Sequence, residues 1–200
     1  MTKVLAGARV LTPDDEIVDG SVIVEDGRIV EVGAGLSPPA GAEVVDLRGL
    51  TLAPGFIDIH VHGGGGFSLA TGDAGEVRSY ARWVVAHGVT SFVASIVGET
   101  PEGGEAALRA VAEASGPAGG GAELLGAHLE GPFVSAERRG ALPEGWLRPP
   151  DAGLLRRYLE AADGRLRLLT LAPELPGAVA LLEQALRADC VVAVGHSDAT

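Results

Sequence analysis

From Gly55 onward the chain alternates short apolar runs with helical patterns, and no other feature constrains its fold as tightly. The runs are "GFIDIHVHG", "TSFVASIVG", "ELLGAHLEGP", "LRLLTLAPE" and "CVVAVGHS". Between them lie "GEVRSYARWVVAHG", "TPEGGEAALRAVAEASG", "PDAGLLRRYLEAAD" and "LPGAVALLEQALRAD". Strands that are apolar on both faces, each followed by an amphipathic helix, specify an α/β fold with a parallel sheet covered by helices. "TPEGGE" supplies a threonine N-cap with proline at the first helical position. "GPAGGGAE" reads as a flexible connection, and the 20 residues from Gly131 to Pro150 form a long loop of the kind that carries function.

Residues 1 to 53 have a different rhythm. "EDGR" between "GSVIV" and "IVEVG" is a hairpin signal, because Asp-Gly supplies the positive φ angles of a tight turn. This stretch predicts a small antiparallel β domain, a β-sandwich unit, ahead of a second domain over 54–200. The net charge of −12 disfavours nucleic acid and anionic membrane surfaces, and no run of about 18 apolar residues is present. Partners are expected among small molecules or further copies of the chain. The one cysteine, Cys190 in "DCVVAV", reads as a buried hydrophobe, which fits a reducing, cytoplasmic setting. The only lysine is Lys3, so no mechanism that needs a lysine deep in the chain is available.

In parallel α/β folds chemistry collects at the C-terminal ends of the strands. The first strand here ends in Asp58, His60 and His62, the third in His128 and Glu130, the fourth in Glu174, the fifth in His196, Ser197 and Asp198. Only His87, on the first helix, falls elsewhere and reads as structural. A lone strand histidine is usually a satisfied core residue. His60 and His62, however, share a face, and a closed sheet brings Glu130 and His196 to the same end. Imidazoles with a carboxylate and no cysteine suit zinc, iron, manganese or cobalt. His128 precedes Glu130 by two and is expected to orient the site from behind. Tyr80 and Trp83 read as packing residues, Arg138 and Arg139 as solvated loop charges, Ser197 and Asp198 as helix caps. "HGGGGFS" lacks the spacing and lysine of a phosphate loop, so its glycines are expected to let the backbone pass close to a metal or ligand.

An N-terminal β unit, "PGFIDIHVHG" opening the strand series, and ligand-type residues at strand ends resemble the amidohydrolase superfamily. Within it, "HLEGPF" at 128–133, "TLAPE" at 170–174 and "GHSDAT" at 195–200 resemble the N-acetylglucosamine-6-phosphate deacetylase family. The resemblance implies a metal-dependent hydrolase with a (β/α)8 TIM-like barrel, of which five βα units are present. It also implies hydrolysis of the acetamide of a phosphorylated amino sugar, with one or two divalent ions. Relatives that use a carboxylated lysine are excluded by the lysine count, leaving Glu130 as the bridging or sole carboxylate. By the same resemblance Glu130 and His196 hold the main ion, and His60 and His62 a second one in members that have the pair. A third ligand in a "HLFNAM"-like motif and a general-base aspartate belong to segments beyond Thr200. The implied full-length protein is a homodimer.

One position departs from the pattern. Where the family shows a histidine that helps seat the sugar, the loop "RRGALPEGW" has Ala141 followed by Leu142, so substrate contacts at Ala141 and Leu142 are backbone or apolar. With five strands of eight, an open edge and exposed apolar surface are expected, and an inactive fragment with them. Two other readings follow: an amidohydrolase with a different N-acyl or cyclic amide substrate, or a non-catalytic metal-binding remnant.

Overall fold

A computed structural model describes residues 1–116 and 119–200. Pro117 and Ala118, in the connection read as flexible, lie outside the described residues. The chain divides into two compact units, Met1–Gly55 and Phe56–Thr200.

The first unit is built from β1 (Thr2–Leu11), β2 (Glu16–Glu25), β3 (Arg28–Ala34), β4 (Glu43–Asp46) and β5 (Thr51–Leu52). The Asp26-Gly27 turn joins β2 to β3 with both residues at positive φ, as the hairpin signal requires. The pairing β1–β2–β3 is antiparallel. The unit is nonetheless one mixed sheet where the hairpin signals pointed to an antiparallel sandwich, because β4 and β5 run parallel to β1. The reason is the connection over 35–42, which is long enough to carry the chain past β1 instead of folding straight back. Ala8, Val10 and Val22 form the buried centre of this unit.

In the second unit the five apolar runs become β6 (Phe56–Val61), β9 (Val89–Ile96), β10 (Glu123–Glu130), β11 (Leu166–Leu171) and β12 (Val191–Val194). A short hairpin, β7 (Gly63–Gly64) and β8 (Phe67–Ser68), follows β6. Helices α1 (Ala74–Val84), α2 (Pro101–Ala114), α3 (Ala152–Ala161) and α4 (Ala178–Arg187) connect the main strands. All pairings in the sheet are parallel, in the order β12-β11-β10-β9-β6. The first three helices start on side-chain caps: Asp73 accepts from Gly75 N–H, Thr100 from Gly103 N–H, and Asp151 from Gly153 and Leu154 N–H. The core between sheet and helices holds Tyr80, Phe92, Leu108, Leu129, Leu155 and Leu169, all fully buried. Each such side chain contributes about 1.5–3 kcal/mol by leaving water. Among the described residues no helix is long and apolar enough to cross a membrane.

The glycine run after His62 has a local cause different from the one its position suggested. Gly65 sits at φ +61°, and a Cβ there would lie 2.3 Å from the Trp83 indole, while one on Gly66 would meet nothing within 4 Å. The run is a tight turn that tucks beneath Trp83, whose ring also packs against His87 at 4.3 Å between centroids, tilted by 48°. Gly65→Ala is therefore expected to cost about 1–3 kcal/mol, as overpacking does. In chemical denaturation its excess over Gly66→Ala should vanish in a Trp83→Ala background, and an excess that persists there removes the indole as the cause.

Candidate metal centre and the adjoining pocket

Glu130 ends β10, the central strand, and is buried with 9% of its surface exposed. Three imidazoles converge on its carboxylate. His60 and His62, from the end of β6, bring their Nε2 atoms to 3.3 and 3.0 Å from Oε2. His196, just past β12, brings Nε2 to 2.9 Å from Oε1. Suitable ligand atoms of His60, His62 and Glu130 lie within 4.8 Å of one another. The two carboxylate oxygens thus face two histidine groups, a pair on one side and a single ring on the other.

The tautomers of two rings follow from their other nitrogen. His62 Nδ1 lies 3.1 Å from the Ser95 carbonyl, and His196 Nδ1 lies 3.0 Å from the Arg138 carbonyl. A carbonyl only accepts, so both Nδ1 atoms carry hydrogen. In the neutral rings Nε2 then offers a lone pair to a carboxylate, an arrangement that repels unless a cation or protons lie between them. This donor set fits a divalent ion: neutral imidazoles with fixed tautomers and one carboxylate. The same electrostatics act on protons. Hydrogen bonding from His62, with help from His196, holds the Glu130 carboxyl well below the usual carboxylate range although burial opposes this. The bond to Glu130 raises His62 above its ordinary value.

His128, two residues before Glu130 on the same face of β10, lies beneath the cluster with 1% exposure. Its ring lies edge-on to His60 at 4.8 Å, with Nδ1 2.9 Å from Ser95 Oγ and Nε2 2.8 Å from Thr170 Oγ1. Burial lowers its pKa to about 4, so it is neutral at ordinary pH. Ser95 and Thr170 were not singled out from the sequence. The available signal was a lone hydroxyl inside each of the apolar runs "VASIVG" and "LLTLAP".

The 131–150 loop is anchored over the strand ends. Ser135 N–H donates to the His196 carbonyl at 2.9 Å, and Ala172 N–H to the Phe133 carbonyl at 2.9 Å. His196 is held at φ +50°, a conformation that costs a non-glycine residue energy and needs such bonds to persist. Gly195 lets the chain pass Thr170, since a Cβ there would meet Thr170 Cγ2 at 2.7 Å. Arg138 pairs with Asp198, and Arg139 donates to the Leu142 carbonyl at 2.7 Å, so neither is a free loop charge. Ser197 Oγ and Asp198 N–H both bind Glu174, each at 2.7 Å. They thus tie the segment after β12 to the segment after β11. Asp58 Oδ1 accepts the backbone N–H of His60 at 3.1 Å and stays outside the cluster.

Beside the cluster lies a cavity of about 410 Å3 lined by His62, Glu130, His196, Val97, Ala141, Leu142, Pro143 and Trp146. Leu142 is itself buried. The wall facing the carboxylate is therefore apolar.

A βα sheet with imidazoles and a buried carboxylate at its C-terminal edge defines a hydrolase-type metal fold. A match to the Amidohydrolase family covers residues 51–193, and the chain belongs to that family. Among its relatives, the N-acetylglucosamine-6-phosphate deacetylase of Bacillus subtilis is 34% identical over 95% of this chain and 49% of its own length. The human enzyme of the same name is 39% identical over 96% and 50%. A structure of N-acetyl-D-glucosamine-6-phosphate deacetylase from Mycobacterium smegmatis, in complex with N-acetyl-D-glucosamine-6-phosphate, superposes with a TM-score of 0.87 at 38% identity. That superposition covers 100% of this chain and 51% of that one. The chain thus spans about half the length of the curated relatives it matches. The five parallel strands correspond to part of their barrel.

The titrations have opposite signs. His62, raised when folded, stabilises the metal-free chain fully below its ordinary value of 6.5, and this is lost as pH rises through the raised value. Glu130, lowered when folded, contributes above its ordinary value of 4.5, and this is lost as pH falls through the lowered one. A metal must displace protons from the imidazoles. Calorimetry is expected to show a Tm gain on zinc addition that grows between about pH 5.5 and 8, around the ordinary imidazole pKa. A gain independent of pH would count against histidine ligation.

Proposed function

We propose that this chain carries the metal-binding part of a deacetylase that hydrolyses the acetamide of N-acetylglucosamine 6-phosphate, giving glucosamine 6-phosphate and acetate. The observation that carries the reading is the convergence of His60, His62 and His196 on the two oxygens of Glu130. The relatives, which bear that enzyme's name, supply the substrate. Glu130 with His196 would hold one ion and Glu130 with His60 and His62 a second, the ion being zinc, iron, manganese or cobalt. When bound, such an ion supplies Lewis acidity to the amide carbonyl and to the attacking water.

The residues themselves do the rest. Ser95 and Arg138 carbonyls fix the rings of His62 and His196 with Nε2 forward. The loop over His196 walls the cavity, and Leu142 and Trp146 keep water from part of it. Ala141 and Leu142 contact the substrate through backbone and apolar surface, the phosphate being the partner of groups elsewhere. The third ligand and the aspartate that the family resemblance assigns are not among these 200 residues.

A second reading draws on one feature. Buried Leu142 in the apolar wall favours an amide with a larger apolar acyl group. Acetate or acid release from N-acetylglucosamine 6-phosphate, its unphosphorylated form and longer N-acyl analogues separates the two by which has the highest kcat/KM. In a protein carrying this segment, Glu130→Gln is expected to lower zinc affinity by more than the roughly 10–100-fold that an outer-shell change costs, with turnover falling alongside. Undiminished zinc binding by Glu130→Gln, read by chelator competition, would sink the metal assignment.

A further inference from the structure

Three polar side chains run in a line across the sheet beneath the cluster. Ser95 on β9, His128 on β10 and Thr170 on β11 have 0%, 1% and 7% exposure and lie on the face that Glu130 shares, opposite the face on which Ile96, Leu129 and Leu169 join the helix-side core. Their contacts, 2.9 Å from Ser95 Oγ to His128 Nδ1 and 2.8 Å from His128 Nε2 to Thr170 Oγ1, span three neighbouring strands. Ser95 also reaches the first strand twice. Its Oγ accepts Val61 N–H at 3.1 Å, and its carbonyl accepts the His62 Nδ1 proton at 3.1 Å.

The direction of the line follows from hydrogen accounting. Ser95 Oγ already accepts from Val61, and among the described residues the one acceptor within its reach is His128 Nδ1, so the serine proton goes there. His128 Nε2 then carries hydrogen and donates to Thr170 Oγ1. The reverse order would leave a hydroxyl proton unpaired at Ser95, the more deeply buried end, which is the costlier place. We propose that Ser95, His128 and Thr170 act as positioning residues: a buried crossbeam that holds Val61 and the Ser95 carbonyl in place, and through them the tautomer and aim of His62. His128 also backs the His60 ring from below. An apolar layer would accept valine or alanine at these positions. Three linked polar groups instead specify one arrangement of the strand ends. The consequence for metal affinity rests on the metal reading above, whereas the consequence for the His62 tautomer does not.

Thr170 separates polarity from packing, because its methyl touches Gly195 and its hydroxyl touches His128. Thr170→Val keeps the shape and loses the acceptor; Thr170→Ser keeps the acceptor and loses the methyl. Ring 15N shifts of the metal-free 200-residue chain are expected to show His128 protonated on Nε2 and His62 on Nδ1 in the wild type and in Thr170→Val's counterpart, Thr170→Ser. Mixed tautomers at both rings are expected in Thr170→Val and in Ser95→Ala. By chelator competition, zinc affinity should fall about 10–100-fold in Thr170→Val and Ser95→Ala and less than about 3-fold in Thr170→Ser. A His62 tautomer unchanged in both Thr170→Val and Ser95→Ala overturns the proposal, as does a greater loss in Thr170→Ser than in Thr170→Val. Wild-type chain that binds no zinc removes the metal reading and leaves the crossbeam to be decided by the tautomers.

Discussion

A carboxylate taken out of water at the end of a central strand must be compensated, and in this molecule three imidazole nitrogens provide the compensation. Burial alone would push the Glu130 carboxyl up; the bonds from His62 and His196 outweigh it and push the value down. The balance is local. It depends on strands at the centre and at both edges of the sheet ending at one level, because His60 and His62 come from β6, Glu130 from β10 and His196 from the end of β12. Removing the parallel order of the sheet would separate these groups, so the topology and the charge pattern are one constraint.

The same constraint explains why the loop over 131–150 is packed and not free. It buries Phe133 and Val134, donates a backbone bond to His196 and accepts one from Ala172, and presents the Arg138 carbonyl to His196. His196 adopts a left-handed backbone that Gly195, squeezed against Thr170, makes reachable. Strain at one residue is thus balanced by hydrogen bonds from a segment far away in sequence.

The strand and helix series was readable because periodicity and caps are local properties, and residues at strand ends could be grouped from fold logic alone. What escaped was whatever depends on side chains meeting across strands. Ser95 and Thr170 are two hydroxyls in apolar runs, and only the register that sets Ser95 opposite His128 and Thr170 opposite Glu130 brings both within reach of the His128 ring. The bonds of Ser197 Oγ and Asp198 N–H to Glu174 also join residues far apart in the sequence. The glycines after His62 were readable as a close approach, but the approaching group is Trp83, 18 positions on, and not a ligand. In the first unit the hairpin was local and legible, while the parallel return of β4 was not.

The two kinds of ligand-type residue are held by different means. Glu130 lies on a strand paired on both sides, by β9 and by β11, so ladder bonds fix its backbone. His60 and His62 follow from β6, which among the described residues pairs only with β9 and whose register is irregular between Asp58 and Val61. There the ladder is interrupted, and side chains take its place: Asp58 accepts the His60 N–H, and Ser95 accepts the Val61 N–H. The carboxylate is consequently the fixed point of the cluster, and the histidine pair is the part whose geometry single side chains can adjust. That asymmetry places the control of the histidine pair's geometry in the sheet interior behind it, at Ser95.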